Sequence, residues 1–244
     1  MRLIQLNAWS GRLDYALTSF LEASKADLVC LQEAIELKGG EAGLFFMSIE
    51  DMQDALGAKY LAFGPTLSFN FMQRTADFGN AIISRLPIQK SEVIFIHQQH
   101  QPNFDFIAHK PNMRNLVHAV IDIHGQPCNF ITHHGYWIHE HKDGNEETMR
   151  QMKLLADYID GLSGPIVLTG DFNLKPHSES LEQINSRLTN LSIKYQLKTT
   201  RNSLTTKTEV CDYIFVNDQV RVKEFYAAEE LMSDHKALVL DFDI

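Results

Sequence analysis

Asp171 and Asn173 stand two residues apart behind Gly170, and Asp234 and His235 are adjacent behind Ser233. Residues two apart in an extended segment point to the same side. Asp171 and Asn173 can therefore address one reacting group, one orienting a water and the other donating to a phosphate oxygen. Three carboxylates, Glu33, Asp171 and Asp234, together with Asn7, supply hard oxygen donors. Such donors suit Mg²⁺ or Mn²⁺, which keep several waters and bind substrate phosphate. The ion would polarise a phosphoryl oxygen and offset the negative charge of the site. His235 with a carboxylate partner, Asp212, would form an Asp–His pair in which the carboxylate fixes the tautomer and stabilises the imidazolium. Zinc is a weaker reading. His97, His100, His139 and His141 have no nearby Cys, and their spacing completes no ligand set.

These residues fall at the ends of short apolar segments with the look of strands. Asn7 follows a strand expected at 2–6, Glu33 one at 28–31, His133 one at 127–132 and Asp171 one at 166–169. Asp212 lies at the start of a strand expected at 211–216, and Asp234 and His235 precede one at 236–242. Further strands are expected at 58–63, 79–84, 90–95, 116–123 and 220–227, each bounded by turn-forming residues. Helices are expected at 12–24, 48–56, 146–162 and 178–186. In the third, Met149, Met152, Leu155, Ala156 and Ile159 recur at helical spacing, and Gly161 follows. Asp and Asn beside Gly are ordinary turn residues taken singly. Their recurrence at strand ends, which a shared core places together, favours one common mouth.

The chain has 244 residues, 44% of them hydrophobic and 22% charged, enough for a sizeable core. No linker, repeat or low-complexity stretch divides it, so one domain spanning 1–244 is expected. The formal net charge is -9. A protein that coats nucleic acid is usually basic, because neutralised phosphates drive that affinity. The acidic balance disfavours that class but leaves room for an enzyme that meets phosphate through a cation. No apolar run reaches the roughly 18 residues of a membrane span, and the first residues lack the pattern of a secretory signal. Cys30, Cys128 and Cys211 each lie in an apolar segment, as expected of buried thiols in a reducing, cytoplasmic setting. No protein partner is inferred.

Six segments occur in a fixed order: Leu31-Gln32-Glu33, Gly79 to Pro87, Thr132-His133, Gly170-Asp171-Phe172-Asn173, Cys211 to Val216, and Ser233-Asp234-His235. The ordered set resembles the endonuclease/exonuclease/phosphatase superfamily, which includes pancreatic deoxyribonuclease, abasic-site endonucleases, neutral sphingomyelinases, deadenylases and inositol-polyphosphate phosphatases. The resemblance runs from Asn7 to His235. It implies a four-layered α/β sandwich, two packed mixed sheets flanked by helices, and Mg²⁺-dependent cleavage of a phosphoester by water. Under it, Glu33 resembles the metal-binding Glu, with Asn7 supporting metal or phosphate and Asp234 a second metal or water ligand. Asp171 matches the residue that orients the attacking water, Asn173 its neighbour on the phosphate, and Asp212 the partner of the final His, His235. His133 matches a His that assists the leaving group or holds phosphate. His134 adjoins it, and strand alternation admits only one of the two to the site.

Three further residues are candidates for substrate contact. Arg114 precedes the strand at 116–123, where superfamily members often carry a basic residue. Asn80 lies in the Gly79-Asn80-Ala81 segment. Trp137 lies in the polar loop 133–147 and would line a pocket beside the catalytic His. The loop 97–112 adds Phe104, Phe106 and several His but only Lys110 as a Lys or Arg. The expected activity is a nuclease-like phosphodiesterase acting on a phosphoester, with nucleic acid as one substrate class. The alternatives are a phosphatase, a sphingomyelinase-like phospholipid phosphodiesterase, and a non-catalytic binding module. A decayed binding module should have lost one of Glu33, Asp171, Asn173, Asp212 or His235, and all are present.

Overall fold

The structure, a computed structural model, describes residues 1–38 and 45–244. Two six-stranded sheets form its middle. The first contains β1 (Arg2–Asn7), β2 (Leu28–Leu37), β3 (Tyr60–Phe71), β4 (Arg74–Ser84), β11 (Arg221–Ala227) and β12 (Leu238–Asp243), in the order β11-β12-β1-β2-β4-β3. The second contains β5 (Ile88–His97), β6 (Arg114–Ile123), β7 (Gln126–His134), β8 (Ile166–Asp171), β9 (Thr189–Asn190) and β10 (Asp212–Val216), in the order β5-β6-β7-β8-β10-β9. Each sheet has one parallel pair, β1 with β2 and β7 with β8; the remaining neighbours are antiparallel. A parallel pair needs a long crossover. α1 (Asp14–Ser24) lies in the first crossover and α3 (Glu146–Asp160) in the second. Asn7 at the carboxyl end of β1 and His134 and Asp171 at those of β7 and β8 meet in one region with Glu33, which lies midway along β2 because that strand runs on to Leu37, past the 28–31 expected from the sequence.

Alternation along the strands builds three apolar layers. Leu3, Leu28, Cys30, Ile82, Phe130, Val167, Ile214 and Phe242 meet between the sheets. Ile4, Leu6, Val29 and Leu31 face outward onto Leu17 and Leu21 of α1 and Met52 and Leu56 of α2 (Ile49–Leu56). Ile131, Leu168 and Phe215 face outward onto Met152, Leu155 and Ile159 of α3 and Leu181 and Ile184 of α4 (Glu179–Asn185). Strands covered on both sides read as continuous apolar runs rather than alternating ones, as Val29-Cys30-Leu31 and Ile166-Val167-Leu168 do. Phe130 is fully buried between the sheets, and its truncation to Ala would cost about 3–5 kcal/mol. The fold is a four-layered α/β sandwich.

Local signals set the helix starts. Asn145 and Thr148 form a reciprocal cap at the start of α3, as Ser48 and Asp51 do for α2. The helix expected from residue 12 begins at Asp14, because a short 3-10 turn, Trp9–Gly11, carries the chain out of β1 first. The strands expected at 58–63 and 79–84 are parts of one long hairpin, β3 and β4. Its two-residue turn is Met72-Gln73, both at positive φ, 49° and 65°. Such a turn usually announces itself with Asn or Gly, and Met-Gln does not. The short β9 and α5 (Leu191–Lys194) carry no length or periodicity to reveal them. Among the described residues no helix is long and apolar enough to cross a membrane. Cys30, Cys128 and Cys211 are free and buried.

Candidate active site

Asn7 ends β1 with its side chain buried, and its Nδ2 donates to Glu33 Oε1 and to Asp171 Oδ2, each at 3.2 Å. One amide thus ties the two sheets together at the site. Its Oδ1 accepts the Trp9 backbone N–H at 3.1 Å, fixing which way the amide points. Glu33 sits in a bulge of β2, where the pairing with β4 shifts between Leu31 and Ala34. Its φ of 55° is unusual for a residue with a side chain. The bulge re-aims Glu33 out of the alternating pattern and into the pocket. Behind it, buried Gln32 donates to Thr132 Oγ1 at 2.7 Å across the sheets.

β8 delivers Asp171. Gly170 precedes it so close to β7 that a Cβ there would lie 2.1 Å from the His133 carbonyl oxygen, which is why no larger residue fits. Asp171 Oδ1 accepts the backbone N–H of Asn173 at 3.0 Å. Oδ2 lies 3.7 Å from His235 Nε2, 3.8 Å from His134 Nε2 and 4.0 Å from Arg201 Nη2. Burial alone would raise the Asp171 pKa, but His235, Arg201, His134 and Lys142 together hold it well below the usual carboxylate range. Asn173, at φ 54°, accepts a 2.7 Å hydrogen bond at Oδ1 from Lys142 Nζ and donates from Nδ2 to the Gly135 carbonyl at 3.3 Å.

Asp212 begins β10 directly opposite Asp171 in the antiparallel register. Its oxygens lie 3.0 and 2.9 Å from His235 Nδ1, and Thr200 Oγ1 donates to Oδ2 at 2.6 Å. Burial opposes a charged imidazole, but Asp212 and Asp171 outweigh it and raise the His235 pKa. Nε2 is left facing Arg201 and the pocket.

Glu33, Asp171, Asn173, Asp234, His235, Arg114 and Trp137 all line one cavity of about 300 Å³. Two expectations from the sequence are corrected. His133 is fully buried under the cavity, its Nδ1 3.2 Å from the Asn115 carbonyl and its ring edge-on to Phe172. His134 lines the cavity instead. Alternation admits one of the two, and the register pairing His134 with Asp171 selects it. Asn80 is buried away from the cavity, donating to Asn115 Oδ1 at 2.8 Å, while Asn115 donates to the Gly64 carbonyl. It bonds one sheet to the other rather than facing substrate.

Four residues of the site escaped the sequence reading. Arg201 lines the cavity with Asp234 Oδ2 at 3.5 Å. Thr200 holds Asp212, and Lys142 holds Asn173. Trp9 lines the wall with Trp137, so both tryptophans of the chain serve the cavity. Arg201 and Thr200 stand in a Thr-rich connection without strand or helix periodicity, and only the fold brings them to the site.

Asp171, Asp212 and His235 each present a ligand atom within 4.8 Å of the others. Asp212 is engaged with His235 and Thr200 and Asp171 with Asn7 and Asn173, so the oxygens with fewest partners are at Glu33, bonded to Asn7, and Asp234, with ion-pair neighbours at 3.5 and 3.9 Å. Burial pushes the Glu33 carboxyl upward; His235 and Asn7 oppose this, while Asp171 and Asp234 add repulsion. Crowded oxygens of this kind fit a hard divalent cation, which would relieve both effects.

The model of the endonuclease/exonuclease/phosphatase family matches residues 4–235. The chain belongs to this family. Members of the endonuclease/exonuclease/phosphatase family are phosphoester hydrolases, and that is the class of this chain. Among solved structures, a humanized TDP2 of D. rerio with 14 mutations is similar at 17% identity and TM-score 0.73, over 100% of this chain and 99% of that one. A family protein from Bacteroides vulgatus is similar at 19% identity and TM-score 0.71, over 100% and 98%. The mannosyl-6-phosphatase Bt3783 of Bacteroides thetaiotaomicron is similar at 16% identity and TM-score 0.68, over the whole of both chains. At these identities the likeness is one of fold. No curated protein matches the sequence.

Proposed function

We propose that this protein is a divalent-metal-dependent, nuclease-like phosphodiesterase that uses Mg²⁺ or Mn²⁺ and attacks phosphate with water. The observation that carries this reading is the meeting of Glu33, Asp171, Asn173 and His235, the last held by Asp212 from behind, around one cavity between the two sheets. Glu33 and Asp234 would hold the metal with Asn7 beside them. The ion, when bound, would polarise a phosphoryl oxygen and offset charge.

The remaining steps fall to the chain's own residues. Asp171, kept anionic by its cationic neighbours, accepts a hydrogen bond from the attacking water and orients it. Lys142 pins Asn173 Oδ1, and one Nδ2 hydrogen goes to Gly135, so the other can donate to a phosphate oxygen. His235, its Nδ1–H held by Asp212, accepts at Nε2 from Arg201 Nη1, so the guanidinium stands beside the imidazole as the cationic donor for the phosphate. Burial and the nearby Arg114 hold the His134 pKa well below its ordinary value. As a neutral imidazole it serves as a hydrogen-bond donor near the leaving group rather than as an acid.

A cavity of about 300 Å³ lies at the small end of ligand sites, which favours a chain end or a small phosphoester over the interior of a duplex. One structure of D. rerio TDP2 holds a single-strand DNA product, which supports nucleic-acid ends as a substrate class. The three buried free thiols suit a cytoplasmic setting. The test is a hydrolysis screen with Mg²⁺ and with Mn²⁺ over single-stranded DNA, abasic duplex DNA, RNA, sphingomyelin, phosphoinositides and bis-p-nitrophenyl phosphate. Metal-dependent cleavage of a diester that EDTA abolishes is the expected result. Full activity in excess EDTA, or cleavage of no phosphoester, overturns the reading.

A further inference from the structure

Between the sheets the packing changes character just below the cavity. Leu3, Leu28, Phe130 and Val167 meet in an apolar layer. Nearer the cavity stand Gln5 of β1, Gln32 of β2 and Thr132 of β7, all fully buried. The two amides pair reciprocally. Gln5 Nε2 donates to Gln32 Oε1 at 2.7 Å, and Gln32 Nε2 donates back to Gln5 Oε1 at 2.9 Å. Gln32 Nε2 also donates to Thr132 Oγ1 at 2.7 Å. A primary amide has two donor hydrogens and one carbonyl oxygen, and all three of Gln32 are engaged. Its side chain is pinned from its own sheet and from the facing one.

Stability alone does not account for this layer. Burying amides is unfavourable unless their hydrogen bonds are made, and an apolar pair of the same shape is often as stable. What directional bonds add is a geometry that apolar contacts do not specify.

That geometry is used next door. Gln32 immediately precedes Glu33, which sits in the bulge of β2 at φ 55°. The Gln32 carbonyl accepts the Ala8 N–H at 2.9 Å. Side chain and carbonyl together fix the residue from which Glu33 is aimed, and Asn7 meets the carboxylate itself at 3.2 Å. Glu33 comes from the first sheet and Asp171 from the second. Work shared by these two carboxylates requires the sheets to hold one spacing and one register. Thr132 pairs with Thr169 of β8, two residues before Asp171. The series Gln5, Gln32, Thr132 therefore ties the strand that carries Glu33 to the neighbour of the strand that carries Asp171.

We propose that Gln32, locked by Gln5 and Thr132, is a positioning residue that sets where the Glu33 carboxylate stands for the metal. This rests on the proposed metal-holding role of Glu33. Neither amide lines the cavity; both act through the bulge.

The test separates positioning from stability. Gln5→Met/Gln32→Met replaces both amides with apolar side chains of similar shape and leaves neither amide unpaired, so its Tm should stay near that of the native chain. Calorimetric titration with Mn²⁺ should nevertheless show binding about tenfold weaker, the lower end of what outer partners of a metal ligand contribute. Hydrogen exchange at the Ala8 amide, whose acceptor is the Gln32 carbonyl, should quicken in the same variant without metal. Thr132→Val should weaken Mn²⁺ binding severalfold, while Thr132→Ser, which keeps the hydroxyl, should match the native chain. Where the native chain binds Mn²⁺, native affinity in the double variant, or equal affinities in the two Thr132 variants, overturns the positioning role. A native chain that binds no Mn²⁺ overturns the metal reading, and Ala8 exchange then decides the bulge by itself: quickened in the double variant, the positioning stands; unchanged, it falls.

Discussion

His235 Nδ1 lies 2.9 and 3.0 Å from the two carboxylate oxygens of Asp212, both residues buried, with Thr200 donating to the same carboxylate. The geometry fixes the tautomer: Nδ1 carries a proton towards Asp212 and Nε2 faces the cavity. Groups acting as one unit are strongly non-additive when removed. Asp212→Asn/His235→Ala should therefore be little worse in kcat than His235→Ala alone. Losses that multiply in the double variant would show two independent residues.

Glu33 makes a separate prediction because its roles in metal binding and in backbone strain pull apart. Its φ of 55° lies in a region that costs a residue with a side chain about 1–3 kcal/mol. Glu33→Ala should lose most metal-dependent hydrolysis, with partial recovery at high Mg²⁺. Glu33→Gly should be as inactive but more stable than Glu33→Ala, since glycine adopts this φ freely. Denaturant melts of the two variants decide the point. A Glu33→Gly protein no more stable than Glu33→Ala would mean that the bulge stores no strain.

The strand ends that carry Asn7, Asp171 and Asp212 were readable because each follows or opens an apolar run, whereas Glu33, expected just past a strand at 28–31, lies at a bulge inside β2. What convergence on one cavity requires was not readable. Thr200, Arg201 and Lys142 lie in connections without periodicity and reach the site only through long-range packing. The choice of His134 over His133 depends on the register of β7 against β8, which one strand cannot specify. Asn80 looked like a site residue for the same reason the true ones did, an amide in an apolar strand, yet it serves to bond the sheets. Polar residues in buried strands mark sites and seams alike, and the partner strand decides between them.

His133 gives a dependence of stability on pH. Burial holds its pKa down at about 4, with Arg114 adding to the effect and the Asn115 carbonyl opposing it. Its Nε2 has no partner among the described residues, so a second proton would bring an unsatisfied charge into the core. The unfolded chain, with a pKa near 6.5, binds more protons than the folded one between about pH 6.5 and 4. Stability contributed by neutral His133 is therefore full above pH 6.5 and falls as pH drops through that window. His133→Phe, against Phe172, should flatten part of the decline in Tm across it. His134 and His118, whose pKa values burial also lowers, leave a residual slope. An unchanged Tm-against-pH curve in His133→Phe would show that His133 does not drive the acid loss.

Asn173 and Lys142 form the last relationship with a measurable consequence. Lys142 is buried, and its Nζ donates to Asn173 Oδ1 at 2.7 Å and to the Ile138 carbonyl at 3.3 Å. A cationic donor on Oδ1 forces the amide to turn Nδ2 towards the phosphate position. Loss of a preorganised donor to developing charge costs about 10²–10³ in rate. Asn173→Ala should lower kcat by that factor with little rise in KM, since the bond strengthens as charge develops. Asn173→Gly controls for the φ of 54°, because glycine relieves backbone strain without restoring the amide. It should be as slow as Asn173→Ala. Lys142→Met keeps the amide but frees it to rotate, so its kcat should fall by less, about tenfold. A Lys142→Met effect confined to KM would place the lysine on the ground-state substrate instead of behind the amide.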